Sequence, residues 1–111
     1  MTKKIALGAD HAGFLLKDIC VKWLTDHHLE VIDFGTFSAE SVDYPDYTYK
    51  VVDTIKTGQA DMGVLICGSG EGMVIGANRF KGIRAALCWN KKSACLTRSH
   101  NDANILVMGN A

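Results

Sequence analysis

The chain has 111 residues, with twelve lysines and arginines against twelve aspartates and glutamates, so its formal net charge is zero. This length predicts a single domain over residues 1–111, and the balanced charge argues against nucleic acid or an anionic membrane as a partner. No apolar run is long enough to span a membrane and no signal-peptide pattern opens the sequence, which makes the cytosol the expected location.

The chain contains four cysteines and four histidines, a composition that raises the question of a disulfide framework or a metal site. No C-x-x-C pair occurs, and the spacing of these residues matches no standard zinc-ligand pattern. We therefore predict free thiols and no metal.

The first half of the chain alternates strand and helix patterns. Strands are predicted over Lys4–Ala9 and Glu30–Gly35, and a helix begins at Phe14 and ends near His27 and His28. The helical period predicts one buried stripe on that helix. Its members are Leu16, Ile19, Cys20, Trp23 and Leu24. This pattern makes Cys20 a small core residue and places Trp23 in the core.

The second half of the chain continues the alternation after an irregular polar stretch over 36–46. The predicted helices are Tyr47–Thr57, which Gly58 ends, a helix from Met73 to about Arg79, and Lys91–Arg98, which Asn90 caps. The predicted strands are Gly63–Cys67, Ile83–Cys88 and Ile105–Met108, with Ser99–Asp102 as a loop before the last of them.

Strict alternation predicts an α/β fold: a doubly wound, three-layer α/β/α sandwich on a five-stranded parallel sheet, Rossmann-like in architecture. If the strand order is 2-1-3-4-5, ligands bind beyond the carboxyl ends of strands one and three, where the order reverses. The helix that would normally follow the fifth strand is apparently absent, because the sequence ends at Ala111. We expect either that the natural protein continues or that a partner subunit covers the exposed face.

The most informative stretch is an apolar strand that ends at Cys67 and breaks at once into alternating glycines, namely Gly68, Gly70 and Gly72. A strand, a glycine turn and a helix N-terminus form a ready anion site, because backbone amides and the helix dipole both favour negative charge. The spacing G-x-G-x-G matches neither the dinucleotide fingerprint nor a Walker loop. A phosphate or oxyanion cradle remains, with the Cys67 thiol, the Ser69 hydroxyl and an Asp10–His11 pair from the first loop.

Six motifs in register resemble those of the ribose-5-phosphate isomerase B and galactose-6-phosphate isomerase family. They are Asp10–Gly13, Val42–Tyr47, Cys67–Gly70, Ala77–Arg79, Gly82–Ala85 and His100–Asn104. The resemblance runs over essentially the whole chain, in the same order.

The resemblance implies an enzyme that interconverts aldose and ketose sugar phosphates through an enediol intermediate, without metal or cofactor. Cys67 would be the base that moves a proton between carbons 1 and 2, and His100 would open the sugar ring. The family works as a homodimer or tetramer with active sites at subunit interfaces, so the two residues need not come from one chain.

The resemblance also implies a set of substrate contacts. Asp10 and Ser69 would handle sugar hydroxyls, and His11 would lie near the phosphate. Asn101 would be a further contact. Backbone amides would stabilise the enediolate; they belong to Gly68, Ser69, Gly70, Glu71 and Gly72.

Several alternatives stay open. The family often has an arginine shortly after the fifth strand, where this chain has Asn110 and Ala111, so phosphate binding is incompletely explained. The substrate could be galactose 6-phosphate, whose isomerase is built from paired related subunits, instead of ribose 5-phosphate. The chain could also be a non-catalytic sugar-phosphate-binding homologue, or a redox sensor that uses Cys67.

Overall fold

The computed structural model describes residues 3–110, which form a five-stranded, wholly parallel sheet with helices on both faces. This confirms the predicted α/β fold class. The strands are β1 (Lys4–Ala9), β2 (Glu30–Asp33), β3 (Met62–Cys67), β4 (Ala85–Leu87) and β5 (Ile105–Gly109). The helices are α1 (Phe14–Asp26), α2 (Tyr44–Lys56), α3 (Glu71–Asn78) and α4 (Lys91–Asn101).

The strand order is β2-β1-β3-β5-β4, so the expected order 2-1-3-4-5 is wrong at one edge. The crossover from β4 returns toward the middle of the sheet and inserts β5 beside β3. Since such crossovers are right-handed, α4 packs on the face that also carries α1. The reversal between β1 and β3 is unaffected, and the expected ligand edge stays where the order 2-1-3 places it.

The two faces of the sheet carry separate cores. Under α2 and α3 lies a cluster of buried residues that includes Val51, Leu65 and Met73. The other face is built around Leu7 and Ile66, against which α1 packs. Side chains of β3 enter both cores, which explains why its sequence reads as a continuous apolar run and not as an alternating one.

Three helix boundaries differ from the sequence-based expectation. Helix α2 begins at Tyr44, three residues earlier than expected, because Pro45 occupies its first turn, where a missing amide proton costs nothing. Helix α3 begins at Glu71, directly after the left-handed Gly70. Helix α4 runs on to Asn101, so most of the predicted exit loop is helical.

The strand boundaries also differ by a few residues. Strand β2 stops at Asp33, and β4 is limited to Ala85–Leu87. Both residues predicted to mark helix ends are confirmed. Asn90 caps α4 by accepting a 2.7 Å hydrogen bond from the Ser93 amide, and Gly58 follows α2 with a left-handed φ of +79°.

The predicted buried stripe of α1 is wrong in two positions. Ile19 and Trp23 are 65% and 56% exposed, and Trp23 stacks on His27 instead of entering the core. The residue that turns inward is Lys17, which is fully buried. The helix is therefore rotated about its axis relative to the face that hydrophobicity alone selects.

The four cysteines are free, and they differ in environment. Cys20 lies in the partly buried layer beneath α1, where burial raises the pKa of its thiol, in keeping with its predicted role as a core residue. Cys88 is buried, whereas Cys95 is exposed. Within the described residues, no helix combines the length and apolar character that crossing a membrane requires.

Candidate active site

Two loops meet at the carboxyl edge of the sheet, as the reversal of strand order predicts. The turn after β1 is fastened to β3 by the Asp10 amide, which donates to the Ile66 carbonyl at 3.2 Å. A Cβ on Gly13 would lie only 2.6 Å from the same carbonyl oxygen. A Cβ on Gly68 would lie 3.8 Å from the Ala12 Cβ. The turn over residues 10–13 and the loop over residues 67–72, defined here as the base loop, are thus in direct contact.

The Cys67 sulfur is held by the base loop. Its side chain is 5% exposed, and its Sγ accepts a 3.1 Å hydrogen bond from the Gly70 amide at the start of α3. Gly70 has a φ of +84°, and a Cβ at this position would lie 2.5 Å from Leu87 Cδ1. Backbone conformation and packing both demand glycine here. The result is a shielded sulfur beneath an amide, at the positive end of a helix dipole.

The Ser69 side chain is exposed at the same edge. Its Oγ accepts a 3.2 Å hydrogen bond from the Glu71 amide, which leaves the hydroxyl proton available for donation to a ligand. The amides of Gly70 and Glu71 are thus already engaged by Cys67 and Ser69 within the loop. The amide cradle over residues 68–72 stays a prediction.

Asp10 is buried and organises the start of α1. One of its carboxylate oxygens, Oδ1, accepts hydrogen bonds from the amides of Ala12 at 3.0 Å and Gly13 at 3.2 Å. These bonds brace the turn ahead of α1 and do not cap the helix, whose N-cap is Gly13 and has no side-chain cap bond among residues 3–110. Among residues 3–110, no hydrogen bond reaches its second oxygen, Oδ2, and contact with a sugar hydroxyl stays a prediction for that atom.

His11 is oriented by the loop that precedes α2. The Val42 amide donates to its Nδ1 at 3.2 Å. This bond needs an unprotonated Nδ1, so the neutral ring carries its proton on Nε2. His11 therefore offers an N–H donor of fixed orientation.

Asn110 is a residue that the sequence analysis missed. Its amide donates to the Cys67 carbonyl at 2.9 Å, and its side-chain Nδ2 donates to the Ala12 carbonyl at 2.7 Å. This residue thus ties the exit of β5 to both loops of the site, to the base loop through its backbone amide and to the turn over residues 10–13 through its side chain. Its neighbour Gly109 lies so close that a Cβ there would sit 2.6 Å from the Ser69 carbonyl oxygen. The sequence marks this position as one where the family often has an arginine, but the contacts of Asn110 itself cannot be predicted until β5 is known to pair with β3.

Tyr44 is the second residue that the sequence analysis missed. Its ring packs on the first turn of α3, where a Cβ on Gly72 would lie 2.9 Å from the ring carbon Cζ. The side chain is 38% exposed, so the phenol stands at the rim of the base loop. Tyr44 lies within the Val42–Tyr47 motif, but that motif alone does not indicate a contact with the base loop.

His100 and Asn101 lie at the opposite edge of the sheet. Both are exposed in the last turn of α4, and the Asn101 carbonyl accepts a 2.6 Å hydrogen bond from Arg84 Nε, just before β4. Ile105, which starts β5, pairs with Gly63, four residues before Cys67 on β3. About 13 Å of strand therefore separates this edge from the sulfur. The structure does not bring His100 to Cys67 within one chain.

The arrangement at the carboxyl edge suits proton transfer beside an anion. It combines a sulfur atom under an amide and a hydroxyl, both at the N-terminus of α3, with an imidazole N–H on the adjoining turn after β1. In the part of the chain that the structure describes, no three histidine, cysteine, aspartate or glutamate side chains are grouped so as to hold a metal ion.

Comparison with known proteins adds a family to this geometry. A family model described as ribose/galactose isomerase matches residues 5–111. Ribose-5-phosphate isomerase B of Escherichia coli is 50% identical over 107 residues, which are 96% of this chain and 72% of that protein. A crystal structure of a ribose 5-phosphate isomerase from Thermotoga maritima superposes with a TM-score of 0.96 at 54% identity, covering 99% of this chain and 76% of that one. The type B ribose 5-phosphate isomerase of Trypanosoma brucei gives a TM-score of 0.93 at 46% identity, covering 98% and 74%.

Proposed function

The chain belongs to the ribose/galactose isomerase family, and on that premise we propose that it interconverts ribose 5-phosphate and ribulose 5-phosphate. The names of its relatives support the substrate. The observation that carries the chemistry is the Cys67 sulfur beneath the Gly70 amide, on a loop that contacts the turn that bears Asp10 and His11. A proton shift between adjacent carbons needs a base at such a place and a site for the negative charge that develops.

In the proposed reaction, the Cys67 thiolate removes the proton from carbon 2 of the open-chain aldose. The C–H electron pair forms the carbon–carbon double bond of an enediolate, and the negative charge moves to the oxygen on carbon 1. The proton of the carbon-2 hydroxyl passes to the oxygen on carbon 1. The thiol then returns its proton to carbon 1 as the carbonyl forms at carbon 2, so that carbon 1 ends as CH2OH and Cys67 is again a thiolate. Amides near Gly68 and Gly72 stabilise the anion, and one such donor typically contributes about 3–4 kcal/mol.

The remaining residues of this edge orient the sugar phosphate. His11 donates from Nε2 to the phosphate, since its Nδ1 is occupied by the Val42 amide. Asp10, through Oδ2, and Ser69, through its hydroxyl proton, contact the sugar hydroxyls. This assignment uses no metal and no cofactor.

His100 and Asn101 complete the site from a second copy of the chain. They lie about 13 Å along the sheet from Cys67 in the same copy, too far for both to touch one five-carbon sugar at the reacting end. A homodimer, or a tetramer built from dimers, that sets the amino edge of one sheet against the carboxyl edge of another removes this distance. His100 then opens the furanose ring before Cys67 acts.

The test is to supply ribose 5-phosphate and galactose 6-phosphate separately to the purified protein and to measure ketose formation with a chelator present. We expect turnover of ribose 5-phosphate. Turnover of galactose 6-phosphate alone would assign the chain to the galactose branch of the family. Turnover of neither sugar would contradict an isomerase.

A binding-only homologue is the second candidate, and Asn110 is the observation that favours it. The residue after β5 is engaged with Cys67 and Ala12, at the point where relatives often carry a phosphate-binding arginine. Calorimetry distinguishes the two functions. Binding of ribose 5-phosphate without any turnover would select this candidate.

A further inference from the structure

Of the lysines within residues 3–110, Lys17 alone is buried, with 0% of its side chain exposed. Its Nζ donates to both carboxylate oxygens of Asp33, at 2.9 and 2.8 Å, and to Asp18 Oδ1 at 2.9 Å. The Phe37 ring lies over the ammonium, 4.7 Å from Nζ to the ring centroid. An ammonium is costly to bury unless it is fully paired. The carboxylates around Lys17 compensate that cost, which a surface lysine would not require.

Asp33 connects the ammonium to the turn after β1. Its Oδ1 also accepts a 2.9 Å hydrogen bond from the Gly35 amide. The Gly35 carbonyl in turn accepts from the Ala9 amide, and the Thr36 amide donates to the Ala9 carbonyl, both at 2.8 Å. Ala9 is the residue before Asp10. Each link in this path is a hydrogen bond or an ion pair.

The loop that follows Asp33 also contacts His11, near the start of α2. We define the strap as residues 34–43, which connect β2 to α2. The strap begins at the Asp33 anchor, and near its end the Val42 amide donates to His11 Nδ1. The strap is thus held by the buried ion pair at one end and holds the imidazole at the other.

We propose that Lys17 and Asp33 are positioning residues that fix the strap and, through it, the His11 ring, so that Nε2–H faces the phosphate. The proposal rests on the phosphate role of His11 in the proposed function. Neither residue touches the ligand; both act through the backbone of Ala9 and Val42. A charged pair suits this task because three hydrogen bonds from Nζ fix its geometry, whereas an apolar contact has no preferred direction.

The test compares the double variant Lys17→Met/Asp33→Asn with the wild-type chain. The double variant strands no buried charge and nearly conserves volume, so we expect it to stay folded. Lys22→Met is the matched control, since Lys22 lies on the same helix and makes only an exposed 3.9 Å pair with Asp26. Should the double variant not fold, Lys17→Met alone replaces it, because the remaining carboxylate of Asp33 is 24% exposed and still accepts from the Gly35 amide.

Two readouts decide the outcome. In ligand-free protein at alkaline pH, ¹⁵N NMR of the imidazole should show one tautomer of His11 in the wild type and Lys22→Met, and a mixture in the test variant. The KM for ribose 5-phosphate should rise about tenfold in the test variant while kcat changes little. Wild-type imidazole signals in the folded variant overturn the proposal, and so does an unchanged KM. If the wild type turns over no sugar phosphate, the proposed function fails, and the NMR readout still decides whether the pair positions His11.

Discussion

Two glycines have nearly the same left-handed backbone, Gly70 with a φ of +84° and Gly82 with a φ of +85°. A Cβ on Gly82 would meet nothing within 4 Å, whereas on Gly70 it would lie 2.5 Å from Leu87 Cδ1. Gly70 also supplies the amide that donates to the Cys67 sulfur. The two positions therefore separate the cost of backbone strain from the cost of disturbing the base loop.

We predict that Gly82→Ala lowers the free energy of unfolding by about 1–2 kcal/mol, the cost of a left-handed residue with a side chain. Gly70→Ala should lower it further, because its Cβ would also lie 2.5 Å from Leu87 Cδ1. Gly70→Ala should in addition lower kcat by about a hundredfold, since a small displacement of a reacting group has that effect. Gly82→Ala should keep wild-type kcat. Urea denaturation and steady-state kinetics measure the two quantities. Equal kcat values in the two variants would refute a catalytic role for the base loop.

Cys67 and Cys95 provide a second comparison between single residues. Cys67→Ala should lower kcat by about 10²–10⁴-fold, the usual contribution of a positioned base, with little change in the circular dichroism spectrum. Cys95→Ala, at an exposed position, should leave kcat unchanged. Near-normal turnover by Cys67→Ala would show that the wrong base had been named.

The helices show which features hydrophobic patterns and helix-end residues predict correctly and which they do not. Asn90 was identified as the cap of α4 from residue type alone, and it forms a capping box with Ser93. The inward face of α1 was misjudged because pattern rules place lysine outside, and only the pairing of Lys17 with Asp33 on β2 reverses this choice. Local rules predict local bonds, and they fail where a residue far along the chain supplies the partner.

The N-cap of α4 leads to a prediction about the stability of the fold. Asn90→Ala removes the acceptor of the 2.7 Å bond from the Ser93 amide and should lower the free energy of unfolding by about 1 kcal/mol. Lys92→Ala, an exposed change in the same turn, should have almost no effect. Urea denaturation of both variants measures the difference, and equal stabilities would mean that the capping box contributes nothing.

At the scale of the whole molecule, the sequence predicts that the site lies at the carboxyl ends of the strands. The residues that meet there are predicted only in part. Adjacent loops after β1 and β3 followed from the reversal of strand order, a general property of such sheets. The contribution of Asn110 depends on β5 pairing with β3, an arrangement that the expected strand order did not contain. The distance of His100 from Cys67 likewise depends on the direction of α4. Because of that distance, the proposed site needs a second copy of the chain.

The central claim is that one site takes Cys67 from one chain and His100 from another. Co-expressing Cys67→Ala and His100→Ala chains with different tags, and purifying complexes that carry both, tests it directly. One site of each two-fold dimer then has both residues intact, and turnover of ribose 5-phosphate should reach about half the wild-type value per dimer, far above either variant alone. Turnover no higher than that of the single variants would contradict a site shared between chains.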